Sequence, residues 1–475
     1  MNSGFWGKRL WAVIAMSILI ASLFVGCTSA RPAYDEQRVL RIGMIYGSGD
    51  ESNFRQQYVD AFEVTHPGLT TEVVPAIYGG TYGRNVAREE SQDIVESLKK
   101  IMTGDSPVDV VIVSDEALTR LVRENLVKPL DPLIQKDKFD TSGTVPAVLE
   151  GAKAIGDQHI YGLSPTFSAS ALFYNKKIFQ EAGVEPPTDN MTWDEVFNLA
   201  RRVARGEGQK RIYGISFTQW RDGQGPFSYM VSDYAAPLQL KLVDEQTGKM
   251  AVNSPQWEKV LTTISQLVTD KVLFGGYEGQ YIEQAPTYDT DLFISGDTAM
   301  LVADYSYVGQ LRDAAEFEKN NNSSSKIDWD VAALPVHPEA PETGGMELSS
   351  LTAINSAAQN PEDAWEFVKF LNGDDYAKIR SHSGSDLVAR EKYIRPQGGL
   401  DYHIEAFYAR KPIPPAVSEE LLMHSKEFTL LLFDVEMLGE TFFGKVVQDQ
   451  ATPKEALEEW EQAGNEMLAK LKKEP

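Results

Sequence analysis

Apolar residues enrich and alternate from Val39 to Ile45, the period of a half-buried strand, and the run ends in the polar turn Tyr46-Gly47-Ser48-Gly49-Asp50. Phe54, Tyr58, Ala61 and Phe62 then recur at helical spacing until His66-Pro67-Gly68 breaks the pattern. Leu69 to Val74 reads as a second strand. Ile94, Leu98 and Ile101 mark a helix that stops at Gly104. Asp109 to Val113 is a short buried strand with Ser114-Asp115-Glu116 at its carboxyl end, and Leu118, Leu121 and Val122 open the next helix. Strand, helix, strand, helix, strand is the doubly wound α/β pattern, whose ligand groups belong at strand carboxyl ends. The glycines at 47 and 49 lack the GxxxxGK spacing of a phosphate loop, so a nucleotide role there is set aside.

The middle of the chain changes rhythm. Tyr161 to Pro165 reads as a short crossing segment, and Ala169 to Tyr174 is a compact, largely apolar run. Asn175-Lys176 turns the chain into a helix, Lys177 to Ala182, stopped by Gly183, and Pro186-Pro187 forces an extended link. Thr192 with Glu195 three residues on is a capping box, opening a helix that buries Val196, Leu199, Ala200 and Val203. Arg211 to Phe217 is expected to be a strand that delivers Trp220 and the turn beginning at Arg221. Gly275 to Tyr288 is a tyrosine-rich loop, with Tyr277 and Tyr281. Leu301 to Ala303 forms a strand, followed by the aromatic loop Asp304-Tyr305-Ser306-Tyr307. Asp330 to Pro335 is a further strand, and Leu351 to Asn355 a return crossing. Asn360 is the expected cap of a helix with Pro361 at its first position. Helices over Phe428 to Leu438 and from Thr452 end the chain, and Trp193, Trp257, Trp365 and Trp460 fall on apolar helix faces that imply core.

The residues of two segments carry a resemblance. Phe173, Tyr174, Asn175, Lys176, Phe179, Ala182, Gly183 and Pro187, completed by Thr192, Trp193 and Glu195, resemble a segment of the extracellular solute-binding proteins of sugar-type ABC importers. Ile178 stands for the usual Leu, and three extra residues lengthen the link. Phe293, Gly296, Ala299 and Met300 match a second segment of that family. The resemblance implies an α/β, periplasmic-binding-protein-like fold with two discontinuous α/β lobes joined by a hinge. It implies an N-lobe of 38–163 plus 350–410 and a C-lobe of 164–349 plus 411–475. It also implies capture of a solute, foremost an oligosaccharide, by a monomer that delivers it to ABC transporter permease subunits, without catalysis and without a cofactor.

At 475 residues the chain exceeds what one hydrophobic core serves, in keeping with two domains. Its formal charge of −24 repels nucleic acid. Lys8 and Arg9 precede the apolar stretch Leu10 to Val25, which Gly26-Cys27 ends, as in a signal peptide of 1–26. Cys27 is the chain's one cysteine, so an internal disulfide and a thiolate cluster are excluded. A cysteine in that place resembles a lipobox, with Phe24 where Leu is usual. That resemblance implies a diacylglycerol and palmitate anchor on Cys27, a tether over 27–37, and a body held at the extracellular face of the bacterial cell membrane by lipid alone.

A sugar site needs flat apolar faces for the rings and planar polar groups for the hydroxyls. The stacking candidates are Tyr46, Tyr174, Trp220, Tyr305 and Tyr307; the hydroxyl-binding candidates are Asp115, Glu116, Asp304 and Glu347. Tyr174 and the Asp304–Tyr307 loop follow from the resemblance, the others from their place at strand ends, and core packing competes for every aromatic. An anionic sugar would call on arginine, with Arg84, Arg88, Arg221 and Arg390 open. The rival function is a carbohydrate-degrading enzyme, which needs two carboxylates across a glycosidic bond. No GxSxG or HExxH occurs, and the six histidines lack ligand spacing, so no metal is expected and each is assigned to surface or cap.

Overall fold

The computed structural model describes residues 38–78, 94–221, 226–244, 247–276, 288, 290–320, 327–348, 350–413 and 426–471. The expected signal segment, the tether, Cys27, Arg84, Arg88, Tyr277 and Tyr281 lie outside the described residues. In chain order the strands are β1 (Arg38–Gly47), β2 (Leu69–Tyr78), β3 (Val110–Val113), β4 (Gly162–Leu163), β5 (Thr166–Asn175), β6 (Val243–Asp244), β7 (Lys249–Met250), β8 (Met300–Asp304), β9 (Trp329–Ala332), β10 (Met346–Glu347), β11 (Leu351–Ile354) and β12 (Leu387–Val388).

The first sheet runs β2-β1-β3-β11-β4. β1 lies parallel to β2 and β3, and β11 pairs antiparallel with both β3 and β4. Successive side chains of a strand leave opposite faces, and β3 obeys this strictly. Val110 and Ile112 join Leu40, Ile42, Trp365, Phe367 and Val368 on one face. Val111 and Val113 join Leu98, Met102, Leu118 and Leu121 on the other. Both faces are covered by helices, as an apolar run such as VVIV requires.

β5 organises the second sheet. Its first residues pair with β12 and β10, and its remainder with β8 and β9, so one strand reaches from the crossing into the heart of the second lobe. Two crossings join the sheets side by side: 164–165 between β4 and β5, and 348–350 between β10 and β11. The first lobe's second apolar face continues across them to Phe167, Ala169, Ala171 and Phe173 of β5, giving the hinge side one shared core. The far face of the second sheet packs Leu172, Met300 and Val302 on Trp193, Trp257 and Trp460. Residues 387–408, expected in the N-lobe, seat Leu387, Val388, Ile404 and Phe407 in the shared core, against β5 and β9.

Three local expectations change. Arg211 to Phe217 forms no continuous strand: Ile212, Tyr213, Ile215 and Ser216 make single bridges to four different partners, Arg205, Thr298, Leu273 and Leu301. Gly214 in that stretch has no room for a side chain, since a Cβ would sit 2.2 Å from the Ala200 carbonyl oxygen. Asn360 precedes its helix without a side-chain cap bond, because its amide donates instead to Val39 O and Asp109 Oδ2. His337 is buried rather than on the surface, its Nε2 2.6 Å from the Tyr234 carbonyl oxygen and its ring against Trp193 and Tyr234.

Candidate functional site

The alternation that builds the cores also builds the cleft. Odd residues of β5 enter the shared core; the even ones, Ser168, Ser170, Leu172 and Tyr174, face the other way. Directly opposite them stand Glu347, Asp304, Val302 and Met300. Leu172, Val302 and Met300 belong to the second lobe's core. Two pairs nearer the hinge the same face turns polar, with Ser168 and Ser170 half-buried and Glu347 and Asp304 exposed. The cleft begins where that apolar stripe ends.

A cavity of about 350 Å3 opens beside Ser170 and Asp304, walled further by Thr218, Trp220, Tyr229, Asp233 and Gln310. Trp220 and Tyr229 are among the few large apolar side chains left exposed, at 40% and 37%. The first lobe supplies a facing edge. The parallel register of Met44 with Ile112 brings Tyr46 level with Ser114, and Tyr46 is 48% exposed. Ser114 caps the helix Asp115–Arg123, its Oγ accepting from Ala117 N at 3.3 Å, which sets Asp115 and Glu116 on that helix's first turn at the strand's carboxyl end.

Carboxylates of the two walls lie close enough for their charges to interact. Glu116 is pushed above the usual carboxylate range by loss of water, then by the neighbouring charges of Asp115 and Glu347. Asp115 is raised by loss of water as well, against the bond its Oδ1 accepts from Glu116 N at 2.9 Å. Asp233 is pushed up to about 7, first by loss of water; a weak bond from Ser232 opposes the rise and Glu347 adds to it. Glu347 therefore lies within electrostatic reach of Glu116 on one side and Asp233 on the other. Asp233 and Tyr229 were missed in the sequence, because the stretch from Phe227 to Ala235 passes through a π-helical turn with no regular apolar period.

Three of the sequence candidates sit elsewhere. Tyr305 and Tyr307 are core residues, 3% and 1% exposed. The aromatic loop is only two residues long, since β8 ends at Asp304 and a helix starts at Tyr307, so neither ring can swing outward. Tyr305 continues the odd-numbered face of β8 and meets Phe407 edge-on at 5.2 Å. Tyr307 packs on Phe173, and its hydroxyl donates to both carboxylate oxygens of Asp291 at 2.9 Å, leaving it only an edge on the cavity wall. Tyr174 lies four residues along β5 from Ser170, about 13 Å at strand rise. It packs edge-on against Phe179, and burial followed by the charges of Asp330, Asp189 and Asp328 pushes its hydroxyl up to about 12. Arg221 is ion-paired with Asp297, and Arg390 is buried, bonded to Asp140 and Asp374 at 3.2 and 3.1 Å. Among the described residues no three His, Cys, Asp or Glu side chains are grouped to hold a metal ion.

Residues 47–378 match the family described as bacterial extracellular solute-binding protein. The chain is similar to the sn-glycerol-3-phosphate-binding periplasmic protein of Escherichia coli (strain K12), 21% identical over 421 residues, 85% of this chain and 86% of that one. Its fold is similar to that of the sugar-binding protein MalE from Xanthomonas citri, with a TM-score of 0.62 at 19% identity over 91% of this chain and 98% of that one. It is also similar to an ABC substrate-binding protein from Listeria monocytogenes in complex with cycloalternan, with a TM-score of 0.54 at 21% identity over 91% of this chain and all of that one. The matched family consists of binding proteins, which overturns the rival reading of a glycosidase. By the match over most of its length, this chain belongs to the bacterial extracellular solute-binding proteins.

Proposed function

We propose that the protein captures an extracellular oligosaccharide between its lobes and delivers it, chemically unchanged, to the permease subunits of an ABC importer. The observation that carries this is the 350 Å3 cavity, where the exposed rings of Trp220 and Tyr229 stand beside Asp233 and Asp304. Flat aromatic faces suit the C–H faces of sugar rings, and carboxylates suit their hydroxyls. Tyr46, Asp115, Glu116 and Glu347 would complete the grip when the lobes close. The sugar-binding and cycloalternan-bound relatives support the ligand class. The lobes are taken as 38–163 plus 350–410 and 164–349 plus 411–475, with 387–408 bridging them, and the working unit as a monomer. The proposal includes a lipid anchor on Cys27, after removal of residues 1–26. Cys27→Ala, expressed in the native host, should then be released or left unprocessed, and a variant that stays processed and membrane-bound without acyl label would refute the anchor.

The experiment is calorimetry with a panel of neutral oligosaccharides, followed by product analysis after long incubation. A saturable ligand recovered intact, with a radius of gyration that falls on binding, is the expected result. Cleavage of the ligand, or failure of every saccharide to bind, would refute the proposal.

A further inference from the structure

Among the described residues the cavity wall includes Asp233 and Asp304 but no lysine or arginine. Glu347 stands on the same sheet face as Asp304, opposite Ser168, while Ser168 itself donates to Asp386 Oδ1 at 3.2 Å. Glu116 and Asp115 face them from the first lobe. None of Asp115, Glu116, Asp233, Asp304 and Glu347 has an ion-pair partner among the described residues. The arginine beside Trp220, Arg221, is committed to Asp297. Hydrogen bonding absorbs little of this charge: Asp304 Oδ1 accepts from Ser306 N at 2.8 Å, and Asp233 Oδ2 takes only the 3.4 Å contact of Ser232.

Acidic side chains left unneutralised beside a cavity repel an anionic solute and gain from a cationic one. The carboxylates are strung along the cleft, without the three-fold grouping that would hold a metal ion. An extended organic cation matches that spacing better than a point charge. The exposed rings of Trp220 and Tyr229 are a second observation and favour the same partner, because a protonated amine is attracted to an aromatic face.

We infer that the preferred solute is an amino-bearing oligosaccharide, its ammonium groups lying against Asp233, Glu347 and Glu116 and its ring faces on Trp220 and Tyr229. This rests on the oligosaccharide reading above and narrows it. It also separates this chain from its glycerol-phosphate-binding relative, whose ligand is an anion. Asp233, its carboxyl pushed up to about 7 when the cleft is empty, is partly ionised at neutral pH; an ammonium beside it completes the ionisation, so binding releases a fraction of a proton.

The test is calorimetry of the mature protein with a glucosamine trimer, its fully N-acetylated form, maltotriose, a trigalacturonate and spermidine. The glucosamine trimer should bind about tenfold or more tightly than its N-acetylated form, weaken as salt rises, and release protons in paired buffers. In the folded double variant Asp233→Asn, Glu347→Gln, checked by circular dichroism, the preference for the amine over the N-acetyl form should collapse toward unity. Equal or tighter binding of the N-acetylated trimer, maltotriose or trigalacturonate overturns the inference and leaves the oligosaccharide reading standing. Binding of spermidine with no saccharide overturns both. An unchanged preference in the double variant, or no binding of the glucosamine trimer, overturns the inference.

Discussion

The hydroxyls of Tyr58 and Ser350 lie 2.7 Å apart, both buried, although the residues are 292 positions apart in the chain. Tyr58 belongs to the helical segment after β1, and Ser350 is the last residue of the second crossing before β11. The bond fastens the helical segment after β1 to the chain where it enters β11. Gln57 Nε2 also donates to the Tyr58 oxygen at 2.9 Å, so Tyr58→Phe leaves two polar groups without that partner. The expected cost is about 1 kcal/mol in urea unfolding, with the slope unchanged. Ser350→Ala combined with Tyr58→Phe should cost less than the two changes summed. Strict additivity would show that the two hydroxyls do not act as a pair.

Trp220→Ala and Tyr229→Ala separate binding from stability. Both rings are more than a third exposed, so their removal should change unfolding free energy by less than about 1 kcal/mol. Each should weaken the best saccharide by about 1–3 kcal/mol, because ring contact area is what a stacked sugar loses. Full affinity in both variants would move the site out of this cavity.

Tyr307 should behave in the opposite way. Tyr307→Ala empties a site enclosed by Phe173 and Phe293 and should cost about 3–5 kcal/mol. Tyr307→Phe keeps the ring but strips a donor from Asp291, which is 1% exposed and otherwise held by Phe293 N and Ile294 N. That costs about 1–3 kcal/mol at neutral pH. A Tyr307→Ala protein with an unaltered melting point would contradict the packing described.

What the sequence displays and what it hides follow the range of the forces involved. The capping box of Thr192 and Glu195 is a contact three residues long, and it forms with Glu195 Oε2 accepting from Thr192 N at 2.7 Å. The alternation through β3 and β5 is local too, and the cores sort along it. Arg211 to Phe217 carries the composition of a strand, yet its partners come from residues 205, 273, 298 and 301, none of which its own pattern announces. Tyr305 and Tyr307 occupy a polar-looking loop, and only the start of the next helix at Tyr307 decides that both rings turn inward. Asp233 and Tyr229 sit on a helical turn of irregular period, where no spacing rule singles them out.

Asp233 should give stability a pH slope of unusual sign for a carboxylate. Its folded-state carboxyl is raised to about 7, whereas in the unfolded chain it titrates near 4. Between those values the folded protein binds more protons than the unfolded one, so this group's contribution falls as pH rises from about 4 to about 7. His337 works against it in part of that window. Buried neutral against the Tyr234 carbonyl and held below the ordinary histidine range by loss of water, it costs stability as pH falls below about 6.5. The wild-type curve alone therefore mixes two opposed slopes. Asp233→Asn isolates one of them, because His337 is present in both proteins and cancels in the difference. The variant should approach wild type below about pH 4, where Asp233 is protonated in both states, and exceed it increasingly up to about pH 7 and beyond. The check is urea unfolding of both proteins across that range. A difference that stays constant with pH would mean that Asp233 is hydrated in the folded state and that the cavity does not shield it from water.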